Sequence, residues 1–122
     1  MNSFLKYNLP SFLWAALILW LSLTPGSGLP KIKIPNIDKV VHFAFYLFLA
    51  LLVFYGWTRQ NSFSALHHHR VFKIFFIVFT YGFTIEIIQE LFTVNRHFEW
   101  LDIAANSTGA AIGSLISVKL FK

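Results

Sequence analysis

Four apolar runs divide this chain, at 9–23, 40–57, 71–92 and 100–121, and three polar connectors, 24–39, 58–70 and 93–99, separate them. A hydrocarbon core about 30 Å thick is crossed by roughly 20 helical residues. The last two runs reach that length, the second is adequate, and the first reaches it by borrowing residues toward the N-terminus. The predicted spans are therefore about 5–24, 40–57, 71–92 and 100–121. The pattern predicts an all-α integral membrane protein, one domain over 1–122, folded as an up-down-up-down bundle of four transmembrane helices. A signal peptide is the rival reading of the first run, because Lys6 precedes an apolar stretch followed by Ser27 and Gly28. Trp14 and Trp20 instead give it the anchors of a span, and no A-x-A-like cleavage site follows. Cleavage would leave three spans.

Composition narrows the class. Of the 122 residues, 57% are hydrophobic, 19% aromatic and only 12% charged, with a mean hydropathy of +0.63. Soluble proteins carry about 25% charged residues, and a soluble domain of this size buries roughly two thirds of the surface its unfolded chain exposes. Lipid has to cover the rest. Cysteine is absent, which removes disulfides and thiolate chemistry. The net charge of +5 includes no basic stripe interleaved with stacking aromatics, so membrane lipids, not nucleic acid, are the expected partners. Lys6, Arg59, Arg70, Lys73, Lys119 and Lys122 fall on the side of the termini and middle connector, against Lys31, Lys33, Lys39 and Arg96 opposite. This excess predicts both termini in the cytoplasm and the first and third connectors outside. The bias strengthens if Lys39 and Arg96 are retained for a site.

The chain holds only five acidic residues, Asp38, Glu86, Glu90, Glu99 and Asp102, and all lie at or inside the ends of apolar runs. A carboxylate in a hydrocarbon-embedded segment is costly, so such groups are usually paired, face inward and mark a working site. Asp38, Lys39 and His42 open the second span, and Glu86, Gln89 and Glu90 lie near the end of the third. Arg96 and Glu99 follow in the last connector, and Asp102 and Asn106 open the fourth span. An up-down-up-down bundle brings these ends to one membrane face. Asp38 with His42, Glu86 with Glu90, and Asp102 with Asn106 are spaced to share a helix face. The Asp102 face continues through Gly109 and Gly113, whose G-x-x-x-G spacing lets a neighbouring helix pack closely. Homo-oligomerisation through the fourth helix stays open.

Ser22 and Pro25, then Asp38-Lys39 with His42 and Tyr46, Glu86 with Gln89, Arg96, and Asp102 with Asn106, Gly109 and Gly113 follow the order D-K-x-x-H, E-x-x-Q, R, D-x-x-x-N-x-x-G. In that order the chain resembles the VanZ-like family of small bacterial membrane proteins, over about 22–113. The resemblance implies a fold and a site in a multi-pass protein of the bacterial plasma membrane. It also brings the family's link to glycopeptide resistance, notably to teicoplanin, and no established molecular activity.

Two classes of function fit these residues. In the first, the protein is an enzyme acting at the outer face on a lipid-linked or cell-envelope substrate. His42, Glu86 and Asp102 then supply acid/base groups or ligands for a hard divalent ion, and Lys39 and Arg96 hold a phosphate or carboxylate. Asp38, Tyr46, Gln89 and Asn106 complete the substrate contacts. No nucleophile elbow, phosphate loop or metalloprotease motif is present, and neither a metal nor a cofactor is assigned. In the second, the same residues form a non-catalytic pocket that binds or shields a lipid headgroup, wall precursor or amphiphilic antibiotic. Phe43, Phe45, Tyr46, Phe92 and Trp100 then receive an acyl chain. A scaffold role belongs to this class, and a transporter is the weaker third choice because discontinuous segments and repeat symmetry are lacking. Each residue also has a plain structural reading. Asp38 suits a helix N-terminus, with Lys39 snorkelling to headgroups. Glu86 fits a buried ion pair with Arg96 or Lys39, and Glu90 and Glu99 fit solvent. Asp102 suits a cap, and His67, His68 and His69 suit a solvated connector more than a metal tract.

Overall fold

In the computed structural model of the protein the described residues are 3–24, 37–92 and 99–121, with Ile37 and Asp38 described by their backbone alone. Among them are four long α-helices: α1 (Ser3–Leu23), α2 (Ile37–Arg59), α3 (Arg70–Phe92) and α4 (Trp100–Leu120). All four are long and apolar enough to cross a membrane. The helices follow the predicted spans closely, and α2 departs most from its span, starting ahead of it so that Asp38 and Lys39 fall in its first turn. Backbone hydrogen bonding continues through the interfacial polar residues, so a membrane helix outlasts its oily stretch.

Side-chain contacts fix the helix directions. Tyr7 meets Tyr55 while Trp14 meets Phe45 and Phe48, so α1 and α2 run antiparallel. Tyr81 donates to the Ala15 carbonyl and Gln89 to the Ser22 carbonyl, so α1 and α3 run parallel. Lys39 pairs with Asp102 and His42 with Asn106, so α2 and α4 also run parallel. The bundle alternates up and down, yet its most extensive interface joins α2 to α4, which are not chain neighbours. Lipid tails are as apolar as leucine, so membrane helices associate through close packing at small residues and through polar contacts. A Cβ added to Gly113 would lie 2.6 Å from the Leu47 carbonyl oxygen, and one on Gly109 would strike the Phe43 carbonyl. The G-x-x-x-G face of α4 is therefore covered by α2 of the same chain. Any oligomer built on α4 has to use another face, such as exposed Leu115 and Ile116.

At the opposite end of the bundle the middle connector is tightly built. Gln60 is fully buried, its Nε2 donating to the Phe63 carbonyl and its Oε1 accepting from the Phe63 amide, both at 2.8 Å. The Asn61 amide donates to Ser3 Oγ and the Phe4 amide to Ser62 Oγ, which ties the start of α1 to the connector. A 3-10 helix, Ser64–His67, follows. Within the His tract, His67 bonds to the Gln60 carbonyl while His68 and His69 stay exposed, a bundle length away from the carboxylates.

Candidate functional site

Three helices deliver one polar side chain each to the end where α2 and α4 begin and α3 finishes. His42 stands a turn inside α2, Glu86 lies within α3, and Asp102 sits in the first turn of α4. One ligand atom from each lies within 4.8 Å of the other two. His42 Nδ1 is 3.9 Å from Glu86 Oε1, and His42 Nε2 is 4.0 Å from Asp102 Oδ2. Glu86 is 0% exposed, and neither of its carboxylate oxygens has a hydrogen-bond partner among the described residues. Among the described residues, the charges facing it are the Asp102 and Glu99 carboxylates and the Lys39 ammonium. The Glu99 backbone amide is also directed at it, without meeting hydrogen-bond geometry. A carboxylate this enclosed and this poorly matched is unusual, because burial without hydrogen bonds costs more for a charge than for any other group.

Asn106, one turn below Asp102, orients the histidine. Its Oδ1 lies 3.0 Å from His42 Nδ1. An amide oxygen only accepts, so the network assigns a hydrogen to Nδ1 and sets Nε2 toward Asp102. The Asn106 Nδ2 is buried without a hydrogen-bond partner and packs beside Gly82 and the Tyr46 ring. Gly82 makes that approach possible, since a Cβ there would lie 3.0 Å from Tyr46 Cε1 and 3.1 Å from Asn106 Nδ2.

Lys39 closes the rim. Its Nζ donates to Asp102 Oδ1 at 2.7 Å and also to the Glu99 carboxylate. The two oxygens of Asp102 are thus divided, Oδ1 to Lys39 and Oδ2 toward His42. Asp102 does not cap α4; Glu99 occupies the N-cap position and makes no side-chain capping bond. Asp102 in the first turn is still favoured by the helix dipole.

The fold gathers His42, Glu86, Asp102, Lys39 and Asn106, and distributes the other expected residues elsewhere. Gln89 donates to the Ser22 carbonyl at 2.8 Å and ties α3 to the end of α1. Tyr46 is buried inside the bundle, one turn behind His42, rather than placed at the rim. Phe45 packs on Trp14, whereas Phe92 and Trp100 are exposed. The Asp38 side chain and Arg96 lie outside the described residues. Glu90 is exposed. Of the two ion-pair partners expected for Glu86, Arg96 lies outside the described residues and Lys39 pairs with Asp102 and Glu99 instead, because the parallel register of α2 and α4 sets Lys39 beside the start of α4. Glu99, expected in solvent, is half exposed but paired. Sequence reasoning missed Gly82 and Ser114, the latter fully buried with an unpartnered hydroxyl. A lone glycine amid the bulky residues of α3 was the available signal for the first, and nothing marked the second.

The chain matches the VanZ/LLP1 description over residues 2–122. It belongs to the VanZ/LLP1 family. No curated relative and no solved structure matches it. For a VanZ/LLP1 protein the geometry gathers, among the described residues, the His42 imidazole, the Glu86, Asp102 and Glu99 carboxylates and the Lys39 ammonium at the edge of a lipid-facing bundle. Those groups suffice to move a proton, hold a cation or receive an anionic headgroup.

Proposed function

We propose that this end of the bundle is a ligand site at the extracytoplasmic face of the bacterial plasma membrane, acting on a lipid-linked or cell-envelope substrate. The observation that carries the reading is Glu86: a buried carboxylate without a hydrogen bond, brought within reach of His42 and Asp102 by three separate helices. A purely structural cluster would be expected to satisfy it. Lys39 at the rim suits the anionic part of such a substrate, and Arg96 is assigned the same role. Leu91 and Phe92 at the end of α3 and Trp100 and Leu101 at the start of α4, all exposed, suit an acyl or prenyl chain that stays in the bilayer. His42, Glu86 and Asp102 are assigned the acid/base work, with Asn106 positioning His42. The excess of Lys and Arg on the side of the termini supports cytoplasmic termini and an outward-facing site. Glycopeptide resistance, known for the family as a phenotype, is compatible with a site that handles envelope lipids or shields them.

Native mass spectrometry of wild type and Glu86→Gln in mild detergent tests the reading. A polyprenyl or phospholipid species carried by wild type and lost in the variant supports it. Identical lipid adducts on both proteins would sink it and return the cluster to a structural role.

A further inference from the structure

We propose that His42, Glu86 and Asp102 form a binding site for one divalent transition-metal ion of the Zn²⁺ or Mn²⁺ kind, with Asn106 and Lys39 as its orienting residues. The proposal rests on the reading of this cluster as a ligand site and names the cofactor that the site would use. Its ground is geometry. His42 Nε2 and Asp102 Oδ2 face each other at 4.0 Å, and with Nδ1 turned to the Asn106 acceptor, Nε2 is the ring nitrogen left to bond an ion when the imidazole is neutral. An ion bonded at about 2.0–2.2 Å to nitrogen and oxygen spans such a gap with little movement. Glu86 is the third donor and the independent sign of a missing ligand. It is fully buried, with no hydrogen-bond partner at either oxygen among the described residues, and its Oε1 lies 3.9 Å from Nδ1 of the same ring, so that it has to swing toward Nε2 to join the ion. One donor atom from each of the three lies within 4.8 Å of the other two, so binding draws the donors together. Among the described residues Glu86 has no hydrogen bond to give up in moving.

Charge and outer contacts agree with a cation. Glu86, Asp102 and Glu99 face one another with Lys39 as the ammonium among them. A divalent ion bound through Asp102 Oδ2 leaves Oδ1 with Lys39, so binding needs no exchange of that pair. Metal-ligating histidines almost always donate their other N–H to a fixed acceptor, and ligating carboxylates are themselves held by hydrogen bonds. Asn106 Oδ1 and Lys39 Nζ supply these two contacts. One imidazole with two carboxylates suits zinc, manganese or iron(II) better than the all-oxygen sites of magnesium and calcium. Three protein donors leave a position open for water or a substrate oxygen, and a bound divalent ion lowers the pKa of such a water toward neutrality.

The test uses the full chain in mild detergent, purified without a polyhistidine tag and carrying His68→Gln and His69→Gln to remove the other candidate chelators. Elemental analysis after exposure to Zn²⁺, and titration with Co²⁺ followed by its visible absorption, read occupancy and affinity. About one ion per chain is expected, with Co²⁺ affinity reduced at least tenfold by His42→Gln and by Glu86→Gln and unchanged by Glu90→Gln. Asn106→Ala should weaken binding about 10–100-fold, as loss of a histidine-orienting contact does elsewhere. Both Gln variants are near-isosteric, and unchanged helical circular dichroism verifies that they fold. Uptake that persists unaltered in both would mark an adventitious ion and overturn the proposal. Wild-type protein that carries its lipid but takes up no ion overturns the metal assignment and leaves the headgroup reading standing. An ion without a specific lipid upholds the metal site and overturns that reading instead.

Discussion

Asn106 holds His42 from across the parallel interface of α2 and α4, Oδ1 to Nδ1 at 3.0 Å, and so a residue one turn deeper sets the direction of the histidine that faces Asp102. Removing the acceptor leaves a partly buried N–H unsatisfied. Asn106→Leu is therefore expected to destabilise the protein by about 1–3 kcal/mol and to abolish retention of a site-specific lipid. Asn106→Asp keeps an acceptor and should retain more of it. Thermal unfolding in detergent alongside native mass spectrometry separates the two effects.

Glu86→Gln should stabilise the ligand-free protein. The side chain is fully enclosed, lacks a hydrogen bond and faces two other carboxylates. Replacing an unsatisfied buried carboxyl group among other carboxylates by a neutral amide of the same shape recovers about 1–3 kcal/mol. A raised unfolding temperature together with lost ligand retention is the expected result, since sites that bind ligands commonly sacrifice stability. A lowered unfolding temperature would mean that Glu86 serves the fold.

The two ion pairs of Lys39 should differ in strength. Lys39 and Asp102 side chains are 20% and 10% exposed, whereas Glu99 is 52% exposed. Exposed pairs contribute roughly 0–1 kcal/mol, while breaking an enclosed pair strands a charge at a cost of about 3–5 kcal/mol. Glu99→Gln is predicted to leave stability within about 0.5 kcal/mol of wild type. Lys39→Met is predicted to cost about 3 kcal/mol, the lower end of that range because the ammonium keeps some solvent. Equal unfolding temperatures for the two variants would contradict this ordering.

Gly109→Ala and Gly113→Ala should each loosen the bundle. The added methyl meets backbone at both positions, the Phe43 carbonyl at the first and the Leu47 carbonyl at the second, and backbone cannot turn aside as a side chain does. Overpacking of this kind costs about 1–3 kcal/mol. Because the interface lies beside the site, ligand retention should fall in parallel. Differential scanning fluorimetry in detergent measures the first effect, and an unchanged melting profile would show that α2 and α4 can separate without penalty.

The orientation is open to a direct measurement because the natural chain has no cysteine. A single Ala65→Cys in the middle connector should resist a membrane-impermeant maleimide in intact cells and react after permeabilisation. Ser27→Cys in the first connector should label from outside. The reverse pattern would put the carboxylate cluster on the cytoplasmic side and remove envelope precursors from consideration.

The number, length and alternation of the helices were legible in the sequence, because bilayer thickness fixes the length of an apolar run and short connectors force successive spans to reverse. The meeting of His42, Glu86 and Asp102 at one end followed from that alternation alone. What the sequence left open was rotation and register. A lipid-exposed helix is apolar on nearly every side, so hydrophobic periodicity does not say which face turns inward, and only scattered small or polar residues carry that information. The tertiary structure decided that α2 packs chiefly on α4 through Gly109 and Gly113, and that Lys39 therefore pairs with Asp102 and Glu99 rather than with Glu86. It also turned Gln89 toward Ser22, enclosed Tyr46 behind the site, and left Glu86 without a hydrogen bond. These pairings depend on how far each helix is rotated and slid against its neighbours, which close packing of the whole bundle determines and no single segment encodes.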